Sequence, residues 1–331
     1  MKTVRYLLIL FILGLNLTSC LMTESTRTMN IEIMKPGIFT FPENVQSVAI
    51  INRDVNENDS VPFVHFTGTK LVSDVLIKHS SLSDNCVDAL ADFLKEKKYF
   101  GEVKNLRDSL IYFTSSGKDT VNPKDFFNQI HADLCIILNN CDFAIGDYSN
   151  MVENDASLSW TLALKDDSLS YLYEQKDTLI FEDNDFQLVP SHKKVNNVLN
   201  NSSVYLGKSF GTKIIPTWLK VERIYYKSNN PEMLKAEKFA MNNEWLKAAG
   251  IWNKQTQNKN EKIVAKASFN MALACEMEGK INAAIDWLVQ SYSVLKAGGK
   301  AVHKENCQHY INVLALRKKE LERLDKQVRI Q

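Results

Sequence analysis

His303 and Cys307 stand one helical turn apart with His309 close behind, and imidazole beside thiolate is a zinc-binding combination. A closed zinc site takes four ligands, and this stretch offers two or three, so it reads as a solvated helix and no metal is expected. The stretch DVNENDS places Asp54, Asn56 and Asn58 at alternate positions, as a calcium loop does. Asp59 occupies the place where such a loop needs its turn glycine, and His65 the place of its bidentate glutamate. An ordinary acidic loop is the simpler reading. Asp84, Asp88 and Asp92 recur one turn apart, but they lie opposite the apolar stripe Val87, Leu90 and Leu94 and read as a wetted face. The chain contains no phosphate-cradling glycine loop, no G-x-G-x-x-G and no H-E-x-x-H. No catalytic residue or cofactor is expected, and the protein reads as a non-enzyme.

Cys20 is the residue with the most pointed chemistry. Lys2 and Arg5 form a basic start, and Leu7 to Leu15 form an apolar run too short to span a hydrocarbon core of roughly 30 Å. Those are the length and flanks of a cleavable signal. Leu17-Thr18-Ser19-Cys20 resembles the lipobox of bacterial lipoproteins. The resemblance implies diacylglycerol on the Cys20 sulfur, cleavage before it and acylation of the new amine. Each buried CH₂ contributes about 0.8 kcal/mol, so two or three acyl chains hold a protein on a membrane almost permanently. Residues 1–19 are then the signal and 20–29 a lipidated tether. No Asp follows Cys20 directly and Glu24 stands alone. The expected location is the outer membrane, facing the periplasm, with the cell surface as the alternative.

Asp followed by Ser or Thr and an apolar residue recurs at Ser60, Ser109, Thr120, Ser168 and Thr178. The pattern resembles the O-glycosylation site of envelope proteins of the Bacteroidota. Turn chemistry, in which Asp and Ser open strands, is the simpler reading.

Balanced charge gives no case for nucleic acid, since the net charge is +1. The segment to Asn230 nevertheless carries more acid than base, and the remainder more base than acid. Five cysteines remain beyond Cys20. Most sit in apolar surroundings and read as small buried hydrophobes. Cys275 and Cys307 fall on successive helices and form the one pair to test as a disulfide.

An internal repeat marks the C-terminal part. NNEWLKAAGIW and EGKINAAIDWL align with Ala248 and Ala284 36 residues apart, Trp245 on Ile281 and Trp252 on Leu288. Ala236 and Phe239 fall on Ala272 and Cys275, and Gly279 supplies a turn. NMALACEMEGKINAAIDWLVQSY resembles the tetratricopeptide repeat, a helix–turn–helix of about 34 residues. A charged helix ending RKKELERLDKQVR suits the open end of a stack. The resemblance implies a groove lined by Met233, Glu237, Met241, Lys266, Phe269, Asn270, Leu273, Glu276 and Met277. Either those residues bind a peptide or they are buried against the α/β domain, which makes the repeat an internal buttress.

Between residues 30 and 229 the order β–α–β–α–β–β–β–α–β reads as an α/β sandwich with a mixed sheet. VQSVAIIN and DLCIILNN are buried strands, DNCVDALADFLKEKKYF and NPKDFFNQI helices, and SLSWTLALKD with LSYLYEQKDTLIFE a hairpin. Asp84 is the expected helix cap. Trp160 and Trp218 are the candidates for a glycan surface, though both fall in strand patterns that suit a core. The lipobox, the segment IEIMKPGIFTFPENVQSVAIINRD, the strand IPTWLKVERIYY and the repeats together resemble tetratricopeptide lipoproteins of unknown function from the Bacteroidota. A looser likeness is to the α/β domains of envelope lipoproteins related to curli secretion and TolB. The expected fold is α+β: an α/β domain over 30–229, then an all-α, tetratricopeptide-like module over 230–331. The expected role is a lipid-anchored scaffold that holds unknown envelope proteins. The alternative is an enzyme or glycan binder with its site in the α/β domain.

Overall fold

The computed structural model describes residues 26–54, 60–67, 70–78, 81–107, 123–148, 151–165, 170–182, 192–295 and 301–327. Its strands are β1 (Thr26–Lys35), β2 (Ser47–Asn52), β3 (Ser60–Thr67), β4 (Lys70–Lys78), β5 (Glu102–Asn105), β6 (Leu134–Tyr148), β7 (Met151–Leu164), β8 (Ser170–Glu182) and β9 (Thr217–Tyr226). Its helices are α1 (Leu82–Lys97), α2 (Pro123–Ile130), α3 (His192–Ile214), α4 (Pro231–Met241), α5 (Trp245–Gln255), α6 (Glu261–Met277), α7 (Ile281–Val294) and α8 (Ala301–Leu324). The protein is thus α+β, with a sheet region followed by a helical region. The described residues fall into two units, 36–217 with 326–327, and 26–35 with 218–325. The division expected at residues 229 and 230 therefore shifts, because β1 and nearly all of β9 belong with the helices.

The α/β unit is built around β6. One edge of β6 pairs antiparallel with β7 along its length, and β8 pairs antiparallel with β7. Its other edge takes β2 in parallel at Leu134–Leu138 and β3 in parallel at Ile145–Tyr148. β5 lies parallel beyond β2, and β4 antiparallel beyond β3. Burial on both faces explains the unbroken apolar runs of β2 and β6. Val48, Ile50, Leu134, Ile136 and Leu138 enter one core, and Ala49, Ile51, Cys135 and Ile137 the other, with Phe127 and Ile130 of α2.

α1 and α3 cover the first of those faces. A Cβ at Gly207 would overlap the Cys86 carbonyl oxygen, and one at Gly211 the Phe93 ring, so both glycines let α3 lie directly against α1. On the sheet side Phe210 stacks on Trp160 with ring centroids 4.4 Å apart. α1 begins earlier than the sequence implies. Ser81 precedes it with φ 79° and makes no side-chain cap. Asp84 instead lies in the first turn and accepts a hydrogen bond from Asn52 at 2.8 Å.

Two helical hairpins and a long helix make the second unit. Ala236 and Ala272, Ala248 and Ala284, and Trp252 and Leu288, each pair 36 residues apart, are all fully buried. The turns match as well. Asn243 (φ 60°) and Gly279 (φ 71°) adopt the left-handed conformation at the same place in each hairpin. The next amide then donates back to Phe239 O at 2.9 Å in one hairpin and to Cys275 O at 2.8 Å in the other. Asn230 caps α4 by accepting from Glu232 N and Met233 N, and Asn260 caps α6 through Lys262 N. β1 and β9 form a two-stranded sheet whose Ile31, Ile33, Tyr225 and Tyr226 sink into the helical core.

Candidate functional site

The groove expected on α4 and α6 is filled by the protein's own strands. Met233, Glu237, Phe269, Asn270, Leu273 and Glu276 are buried, Lys266 and Met277 half-buried, and Met241 alone of the set is exposed. The occupant is β9. Asn270 accepts from Tyr226 N at 2.7 Å and donates to Tyr226 O at 2.9 Å, so one side chain pairs with the strand backbone as a neighbouring strand would. The Tyr226 ring meets Phe269 edge-on at 4.9 Å, and its hydroxyl accepts from Asn306 of α8. Lys266 donates to the Lys227 carbonyl at 3.2 Å. These residues thus pack on β1 and β9 of their own unit.

Buried polar groups fix the C-terminal part of the strand. Arg223 grips Glu276 with Nε 3.0 Å from Oε2 and Nη2 2.8 Å from Oε1, and Tyr310 donates to Oε2 at 2.5 Å. Burial alone would lower the Arg223 pKa, but the hydrogen bonds and charge of Glu276 outweigh it and hold the guanidinium charged. Burial, reinforced by the Glu276 carboxylate, pushes the Tyr310 phenol well above its ordinary value. Tyr225 donates to Glu237 at 2.9 Å, and burial with that carboxylate pushes its phenol up to about 12. A pair this deep removes two charges from water and survives because each charge is answered by several hydrogen bonds.

The zinc-like residues part company. His303 Nε2 lies 3.1 Å from Ser291 Oγ and 3.5 Å from Cys307 Sγ in the core, whereas His309 is exposed. Among the described residues no group of three His, Cys, Asp or Glu could hold a metal ion. Cys275 and Cys307 are not joined, and all five described cysteines are free thiols. Asp54 and His65 are buried, while Asn56, Asn58 and Asp59 lie outside the described residues. Asp84, Asp88 and Asp92 do not act together: Asp88 binds Arg107 and Asn105, and Asp92 is exposed. No described helix is long and apolar enough to cross a membrane.

Sequence reasoning missed an open cavity of about 460 Å³ on the α/β unit. The register puts Asp142, Ser157 and Lys176 abreast on β6, β7 and β8, with Asp155 and Thr178 in the next row. Thr178 donates to Asp155 at 2.6 Å, and Asn140 donates to Asp142. The alternating polar residues of β7 and β8 carried the signal, but β6 is read as a strand only to Asn140 and its Asp142 goes unnoticed. Of the glycosylation candidates, Ser60 and Thr178 are exposed, and Ser109, Thr120 and Ser168 lie outside the described residues. Trp160 is core, but Trp218 is 62% exposed, contrary to its strand-core reading, and it opens an exposed stretch of β9 that runs to Lys220.

Residues 234–316 match a domain of unknown function, DUF6340, which spans most of α4 to α8. No curated protein matches the chain. Residues 45–226 match a second domain of unknown function, DUF8603, over more than half of the chain, and the protein belongs to that family.

Proposed function

We propose that this is a lipid-anchored cell-envelope protein that works by binding other proteins and not by catalysis. Its helical unit is a short tetratricopeptide-like stack. The anchor rests on the basic, apolar segment that ends at Cys20. The binding role rests on one observation: the inner face of α6 holds an extended strand by its backbone, through Asn270. Here the strand belongs to the same chain. Partners therefore dock on the outward surface, where Leu246 and Val289 on the second helix of each hairpin are 69% and 54% exposed. The envelope is the site of action, with the outer membrane facing the periplasm as the compartment.

A second reading places a small polar ligand in the cavity of the α/β unit, where Asp142, Asp155 and Lys176 meet. Photo-crosslinkers at Leu246, Val289 and Lys176 in intact cells separate the two. A discrete envelope protein trapped from Leu246 and Val289 supports the scaffold. Trapping from Lys176 alone moves the function to the α/β unit, and trapping from none of the three contradicts the binding role.

A further inference from the structure

We infer that the end of the helical unit where β1 begins rests against an anionic lipid surface. The inference depends on the anchor at Cys20. β1 opens at Thr26, six residues beyond Cys20. An extended chain advances at most about 3.5 Å per residue, so Thr26 is held within roughly 20 Å of the acylated sulfur. α8 in the same unit has 24 residues and is about 36 Å long. The leash is therefore shorter than the body it holds. β1 cannot peel away to lengthen it without withdrawing Ile31 and Ile33 from the helical core.

The side chains around that end have the charge such a surface needs. Arg27 and Lys227 flank Glu237 at 3.8 Å and 4.0 Å, and Lys266 reaches the Lys227 carbonyl. Two cations thus flank one carboxylate, with a third on the neighbouring backbone. The Arg27 side chain is 53% exposed, and β1 carries no acidic residue before Glu32. Attraction between such a cluster and negative headgroups acts over about 8 Å at physiological salt. Each basic residue near the surface shifts partitioning roughly fivefold. The opposite end of β1 is marked by Lys35, which pairs with Glu320 of α8. A strand of 10 residues places those ends roughly 30 Å apart.

The test is energy transfer from the lipidated full chain to a headgroup-bound acceptor, in phosphatidylcholine vesicles containing phosphatidylglycerol. In a Cys275→Ser background, fluorophores are placed at Thr28→Cys or, as the comparison, at Lys319→Cys, both exposed positions. Stronger transfer from Thr28 than from Lys319 is expected. The double variant Arg27→Gln, Lys227→Gln, checked for native circular dichroism, should shrink that difference, as should high salt. Equal transfer, or stronger transfer from Lys319, in a chain that stays on the vesicles overturns the inference and leaves the anchor standing. A chain that does not stay on the vesicles overturns both.

Discussion

The Asn270 carboxamide holds both the N–H and the carbonyl of Tyr226, at 2.7 Å and 2.9 Å, across 44 residues of sequence. Both backbone groups are buried, and Asn270→Ala removes a hydrogen bond from each. The cost of each is about 1–3 kcal/mol. Chemical denaturation of Asn270→Ala should show a loss in that range or up to twice it, whereas Asn270→Gln keeps the groups but displaces them and should fall between.

Arg223 and Glu276 form the deepest ion pair described, with side chains 11% and 2% exposed. Removing one partner strands the other in the core, at about 3–5 kcal/mol. Arg223→Ala and Glu276→Ala should each destabilise by that much, and the double variant by less than their sum, since neither charge is then left alone.

Alkaline pH should loosen the same region. Tyr225 and Tyr310 have phenols raised above their ordinary value of 10.0 by burial and by Glu237 and Glu276. A raised pKa means that the folded state favours the protonated phenol. The stability from both groups is complete below pH 10, and it declines as pH rises through the unfolded value toward about 12, where Tyr225 titrates. Tyr225→Phe should flatten that decline in thermal melts taken above pH 10. An unchanged slope would assign the loss to other groups.

Two glycines on helices should respond with opposite sign. Ala at Gly207 drives its methyl into the Cys86 carbonyl at the α1–α3 contact and should cost about 1–3 kcal/mol through overpacking. Gly250 on α5 has nothing within 4 Å of a new Cβ. Gly250→Ala should therefore stabilise, by about 0.5–1 kcal/mol through helix propensity. Urea midpoints with unchanged m-values would report both.

Thiol reagents should discriminate among the cysteines. Burial pushes the Cys135 thiol up to about 12, and burial also raises Cys275, which is only half-buried. In the native chain labelling should be slow and confined to Cys275, with Cys135 reacting only after denaturation, as peptide mass spectrometry would show.

What the sequence discloses follows from the range of the forces involved. β2 and β6 declare themselves because both faces are buried, and α6 and α7 because small and large apolar residues alternate at helical spacing over their whole length. β1 does not, because TRTMNIEIMK buries only Ile31 and Ile33 and its partner β9 lies far along the chain. The same distance explains the displaced boundary: Tyr225 and Tyr226 read as the end of a sheet domain, yet they pack on α4, α6 and α8. The expected groove residues fall on α4 and α6. That they face a strand and not solvent is set by Asn270, Arg223 and Glu276 meeting across the unit, which local periodicity does not encode. The cavity escaped notice for a similar reason, since Asp142, Ser157 and Lys176 come abreast only through strand register.

Mass spectrometry of the N-terminal peptide from membrane-extracted protein tests the central claim most directly. The account predicts a mature chain that begins at Cys20 and carries a diacylglyceryl thioether together with an acylated amine. A chain cut elsewhere, or one beginning at Cys20 with a free thiol, would contradict it.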